Sequence, residues 1–254
     1  MNARRALPWI AILALACALA PAQAQPLAFS PRLQARVPLD TVLVAADGAP
    51  ARLGDVLRGQ PALLVLGYYH CPRLCGTVMD GVIEGTRGVG VPFQIVALSI
   101  DPQEGPPAAQ RKARRYRATL PHAWQPRLHL LTGAAGPTRA VADAVGFPYR
   151  YDRASGQFDH PAGFVVLTPQ GRVSRYFTGV RYAPRDLELA LVEASHGAIG
   201  TLTDQVVLFC SHYDPAQGAY TVSIMRLVRL ASLALLLALG GFVLYWQRRP
   251  ARRP

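Results

Sequence analysis

The sequence predicts an α/β fold: one exported domain followed by a single C-terminal transmembrane helix. Three observations predict it. Two continuous apolar runs of strand length are separated by a segment of helix length, a Thr-Pro-Gln-Gly turn joins two further β-rich runs, and charge-free apolar stretches lie near both ends.

At the N-terminus, Met1-Asn2-Ala3-Arg4-Arg5 precedes an apolar run from Trp9 to Ala20 and then Ala22-Gln23-Ala24. Basic head, apolar stretch and A-x-A site in that order read as a cleavable signal peptide over residues 1–24, with the mature chain starting near Gln25. A lipoprotein signal at Cys17 is the rival reading. Ala14-Leu15-Ala16 lacks the leucine-like first residue that a lipobox requires.

The order of elements follows from the residues. Ala62 to Tyr68 is an uninterrupted apolar run of the kind found in strands covered on both faces, and Phe93 to Ser99 is a second. Gly76 to Thr86 between them has room for a short helix. Pro106 to Ala118 and Gly136 to Val145 read as helices, with Leu128 to Leu131 as a short strand between. Gly163 to Leu167 and Arg172 to Phe177 flank Thr168-Pro169-Gln170-Gly171, a hairpin by its turn chemistry, and Pro184 to Ser195 is a closing amphipathic helix. A βαβ unit, then a helix, a β-hairpin and a helix is the thioredoxin-like order.

At the far end, Leu230 to Trp246 runs 17 residues without a charge, the lower limit for crossing a ~30 Å hydrocarbon layer. Leu227 and Val228 extend it while Arg226 and Arg229 snorkel, which defines an expected transmembrane helix over residues 226–247. A buried core helix of this length would carry a polar face. Arg248, Arg249, Arg252 and Arg253 make residues 248–254 a cytoplasmic basic tail by the positive-inside rule. Residues 25–225 are then the exported domain.

The formal charge of +12 invites nucleic-acid binding, but eight of the 27 basic residues are Arg4, Arg5, Arg226, Arg229 and the four of the tail. The exported part carries 19 basic against 15 acidic groups, an ordinary surface, so nucleic acid is excluded as a partner. The run Arg111-Lys112-Ala113-Arg114-Arg115-Tyr116-Arg117 reads as the solvated side of a helix.

Tyr68-Tyr69-His70-Cys71-Pro72-Arg73-Leu74-Cys75-Gly76 follows the first buried strand, where a helix should begin. Two cysteines at i and i+4 of a first helical turn share a face, close enough to form a disulfide or to grip one soft metal ion. Pro72 suits the first helical position, and the helix dipole would favour the thiolate of Cys71. A purely structural disulfide is the plain alternative, but so short a ring restricts the unfolded chain little.

C-x-x-x-C becomes specific in company. Gly67-Tyr68-Tyr69-His70-Cys71-Pro72, Ser99-Ile100-Asp101-Pro102, Phe158-Asp159-His160 and Val166 to Gly171, in this order and spacing, resemble the Sco/SenC family across roughly residues 39 to 195. The resemblance implies that Cys71, Cys75 and His160 bind copper as Cu(I) or Cu(II), in a membrane-anchored bacterial protein whose main domain is periplasmic. Two thiolates and an imidazole suit Cu(I), and the imidazole helps retain Cu(II). Asp159 is a candidate to orient His160, although neighbouring strand residues point to opposite faces. Pro161 is a candidate for the cis proline that thioredoxin folds often place beside the active cysteine, and His70 is expected to point away from the site if Cys71 faces it.

Three functions remain open on these residues, the weakest a redox or copper sensor. The family implies a metallochaperone that takes copper from a periplasmic donor and delivers it to the binuclear copper centre of a cytochrome c oxidase subunit. The alternative is a thiol-disulfide reductase, with Cys71 as nucleophile and Cys75 as resolving thiol, which keeps that subunit's copper-ligand cysteines reduced by drawing on a periplasmic thiol reductant. Reductase chemistry does not need His160, and the Asp-His element therefore favours copper. Arg73 and Gly76 depart from the acidic residue and proline common in the family, which bears on partner choice more than on ligation. Cys210 is expected to be a structural thiol, with a second copper contact together with His212 or an intermolecular disulfide as the alternatives, and His122, His129 and His196 are expected at the surface.

Overall fold

The computed structural model describes residues 27–71, 75–199, 213–214, 219–220, 232–237 and 239–241. The expected signal peptide, Cys17, Pro72, Arg73, Cys210, His212 and the basic tail lie outside these residues.

The described domain is a seven-stranded mixed sheet with helices on both faces. Its strands are β1 (Val42–Ala45), β2 (Pro50–Arg52), β3 (Ala62–Gly67), β4 (Gln94–Ser99), β5 (Leu128–Thr132), β8 (Gly163–Leu167) and β9 (Val173–Thr178), in spatial order β2-β1-β5-β4-β3-β8-β9. β3, β4 and β5 run parallel, and β8 returns antiparallel against β3 and pairs with β9 through the expected hairpin. A separate small hairpin, β6 (Arg150–Asp152) with β7 (Gln157–Asp159), precedes β8, and two further residue pairs, β10 (Tyr213–Asp214) and β11 (Ala219–Tyr220), form a short ladder.

The apolar runs form central strands because both faces of each must be dry. Along β3, Leu63 and Val65 point into one core while Ala62, Leu64 and Leu66 point into the other. The first core is closed by α2 (Cys75–Gly85), α3 (Pro106–Arg117) and α5 (Pro184–Ser195), the second by α1 (Leu53–Leu57) and α4 (Ala135–Ala144). Crossovers from β3 through α2 to β4 and from β4 through α3 to β5 give the parallel part of the sheet.

The helix starts follow local chemistry. α3 and α5 each open on a proline, whose missing N–H costs nothing in the first turn. α3 buries Ala108, Ala109, Ala113 and Tyr116 and leaves Arg111, Arg114, Arg115 and Arg117 exposed, so the basic run is the outer side of a packed helix.

Five elements carry no legible sequence pattern: β1, β2, α1, β6 and β7. Each is five residues or shorter, and β1 buries only Leu43, so no period could build up. Of the expected membrane segment, residues 232–237 and 239–241 are helical, with Leu233, Leu235, Leu236, Leu237 and Leu239 exposed. Among the described residues no helix is long and apolar enough to cross a membrane.

Candidate metal centre

The strand ends position the site. β3 runs out at Gly67, and the chain continues through Tyr68, Tyr69 and His70 to Cys71 at the C-terminal end of the parallel strands, where α/β sheets place their ligands. Tyr68 and Tyr69 are both buried. The Tyr69 hydroxyl lies 2.7 Å from the carbonyl oxygen of Leu131 and 3.1 Å from that of Ala97, which ties the segment to β5 and β4. Burial first, then the charge of Glu104, pushes its pKa well above the ordinary tyrosine value. Cys71 donates its backbone N–H to the Tyr68 carbonyl at 3.3 Å, is half-buried, and packs on the edge of the second core.

Cys75 lies in α2 (Cys75–Gly85), where a helix is expected after the first buried strand. Cys71 is non-helical, and residues 72–74 between the two cysteines lie outside the described residues. The Cys75 side chain lies outside what the structure describes. Among the described residues no three His, Cys, Asp or Glu side chains converge as a metal-holding group, and the expected set of three contains that side chain.

His160 sits between β7 and β8, with Phe147 stacked on its ring at a centroid separation of 5.5 Å and Tyr68 meeting it edge-on at 6.0 Å. Phe158 extends this aromatic wall by its contacts with Tyr68 and Tyr149. His160 Nδ1 is 2.8 Å from the carbonyl oxygen of Pro161. A carbonyl only accepts, so the proton is on Nδ1 and the lone pair on Nε2, the tautomer in which an imidazole ligates a metal. Tyr68 and His160 line one cleft together with Pro161, Met79 and Tyr116.

Two supporting roles expected from sequence do not hold. Asp159 pairs with Arg150 at 3.2 Å across the β6–β7 hairpin, and the Pro161 carbonyl orients His160 in its place. Alternation along the extended chain separates neighbouring side chains. Among the described residues every peptide bond is trans, so Pro161 is not a cis proline.

His70 is exposed and turned from the cleft. Its Nδ1 lies 2.8 Å from Glu104 Oε1 and its Nε2 3.0 Å from the Arg111 guanidinium, so both ring nitrogens are occupied by protein groups. His129, expected at the surface, is half-buried on β5 and lines a cleft, hydrogen-bonded at 2.8 Å to Gln94 Oε1, and burial with nearby Arg58 and Arg117 lowers its pKa to about 4. Sequence reasoning missed Phe147, Glu104 and the orienting carbonyl of Pro161. Only Glu104 left a trace, as one carboxylate just after Ser99-Ile100-Asp101-Pro102.

Comparison with known proteins agrees with this architecture. The SCO1/SenC family model matches residues 39–194. The Protein SCO2 homolog, mitochondrial, of Bos taurus is 27% identical over 139 residues, covering 50% of this chain and 48% of that protein. The chain thus spans about half the length of the curated relatives it matches. Arabidopsis thaliana ScoI, solved with copper bound, superposes with a TM-score of 0.51 at 18% identity over 61% of this chain and 96% of its own. BsSco, described as a member of the Sco family of cytochrome c oxidase assembly proteins with a disulfide switch, gives a TM-score of 0.50 at 18% identity, covering 68% and 96%. At these identities the two structures speak for the mixed α/β, thioredoxin-like fold alone.

Proposed function

The chain belongs to the SCO1/SenC family, and on that premise we propose that it is a copper metallochaperone which binds copper through Cys71, Cys75 and His160 and delivers it to the binuclear copper centre of cytochrome c oxidase. The observation that carries this reading is the state of His160. Its Nδ1–H is committed to the Pro161 carbonyl and its ring is held by Phe147 and Tyr68, which leaves the lone pair on Nε2, the atom through which an imidazole ligates a metal and which a dithiol reductase would not require.

The donor set fits the ion. Copper is the cargo, and a soft Cu(I) is satisfied by two thiolates, while Cu(II) takes nitrogen to complete its shell. An aromatic wall keeps water off one side of the imidazole. Release to a partner is favoured by the position of Cys71, which is only half-buried, just beyond the end of β3.

The cellular setting belongs to the same proposal. Residues 1–24 act as the signal peptide, residues 25–225 form the periplasmic copper-binding domain, and residues 226–247 anchor it in the inner membrane ahead of the cytoplasmic tail. The exposed leucines of residues 232–241 support an apolar surround for that segment.

The test compares copper binding by the purified full chain and its His160→Ala variant, with and without reductant, alongside oxidase activity in cells. His160→Ala should keep weak Cu(I) binding but lose Cu(II) and its sulfur-to-copper charge-transfer band, and oxidase activity should fall. Full oxidase assembly with His160→Ala, combined with its loss in Cys71→Ser or Cys75→Ser, would replace the chaperone by the thiol-disulfide reductase.

A further inference from the structure

Glu104 lies outside every motif that marks the site, yet its carboxylate is almost wholly buried, at 2% side-chain exposure. Four donors fill it. The Tyr69 backbone N–H reaches Oε2 at 2.7 Å, the His70 backbone N–H reaches Oε1 at 2.7 Å, and the Ser99 hydroxyl reaches Oε2 at 2.6 Å. His70 Nδ1 is the fourth, at 2.8 Å from Oε1. Arg111 lies 3.0 Å from His70 Nε2, and a guanidinium only donates, so Nε2 accepts and the His70 ring proton points at Glu104.

A buried carboxylate is tolerated only where donors replace its water, and charge-assisted bonds of this length are the strong ones. Here the donors come from β4 and from the two residues immediately before Cys71. The carboxylate therefore clamps the chain entering the site to the end of β4.

We infer that Glu104 is the positioning residue for Cys71: by holding Tyr69 and His70 to the end of β4 it fixes where Cys71 enters the site, and so favours closure of its sulfur with that of Cys75 or on a metal ion. The metal half of this inference rests on the proposed copper role; the dithiol half does not. Pre-organisation raises the effective concentration of one thiol against the other. Releasing the clamp should weaken any ring that the two sulfurs close.

The test uses the full chain with Cys210→Ser, equilibrated metal-free with reduced and oxidised glutathione. Two protein thiols give two electrons and two protons to glutathione disulfide, one protein S–S bond forms, and one glutathione S–S bond breaks. Glu104→Gln keeps the size of the side chain but turns an N–H₂ towards donors. The equilibrium constant should fall at least tenfold, equivalent to about 30 mV, and the Cu(I) Kd should rise by a similar factor. Ser99→Ala, which removes one donor and leaves the carboxylate, should shift the constant about threefold in the same direction.

A constant within twofold of wild type in folded Glu104→Gln overturns the inference, even if Tm falls, because a merely structural role would lower Tm alone. Where Glu104→Gln does not fold, Ser99→Ala decides, and an unchanged constant counts against the clamp. Failure of the wild-type chain to bind copper would sink the proposed function and leave the glutathione measurement to judge Glu104.

Discussion

His129 makes the stability of the domain depend on pH in a calculable way. Its half-buried ring on β5 has Gln94 on Nε2, Arg58 and Arg117 nearby, and Asp47 and Gln110 lining the same cleft. The pKa is lowered from 6.5 to about 4 by burial first and then by the two arginines. A folded-state value below the unfolded one means that the unfolded chain takes up the proton first, so stability is full above pH ~6.5 and is lost as pH falls towards 4. Linkage with those two values gives a loss of about 2 kcal/mol at pH 5 relative to pH 7.5, growing to about 3 kcal/mol at pH 4. For a domain of this size, 2 kcal/mol corresponds to a Tm lower by about 4 to 8 °C. His129→Gln retains an amide donor for Gln94 and removes the titration. Urea unfolding followed by circular dichroism at pH 7.5 and pH 5 should show the wild type losing about 2 kcal/mol more than His129→Gln. A difference below ~0.5 kcal/mol between their pH responses would refute the assignment of a half-buried neutral imidazole.

Two further substitutions probe the frame of the site. Gly163 starts β8 three residues after His160, with φ +140°, and a Cβ there would lie 2.1 Å from the Phe177 carbonyl oxygen. Gly163→Ala should therefore cost at least ~3 kcal/mol, read as a Tm drop of about 6 °C or more, and an unchanged Tm would mean that the β8–β9 pairing yields without penalty. Asp159→Asn breaks only a half-exposed pair with Arg150 and should change stability by less than ~1 kcal/mol and the copper Kd by less than twofold. A tenfold loss of copper affinity would show that Asp159, and not the Pro161 carbonyl, governs His160.

The elements that read clearly from sequence are those whose cause is local. β3 and β4 declare themselves because strands buried on both faces are dominated by apolar residues, and α3 and α5 because a proline at the first helical position leads a run of helix-forming residues. Cys71, Cys75 and His160 were legible as candidates by residue type and spacing. β1, β2 and α1 were not, because short edge elements are stabilised by what they pack against and carry little pattern of their own.

What tertiary structure alone decided is the company each of these residues keeps. Glu104 and Tyr69 are 35 positions apart, and Gln94 and His129 are equally distant. Neither pair leaves a periodic trace, because a hydrogen bond across a sheet depends on strand order and register, which only chain closure sets. Asp159 shows the same division from the other side: its position beside His160 was plain in the sequence, but the alternation of the extended backbone turned it to Arg150 and left the orienting of His160 to a main-chain carbonyl. Residue type and spacing thus determined which chemistry the chain carries, and the packing of non-local segments decided which groups hold that chemistry in place.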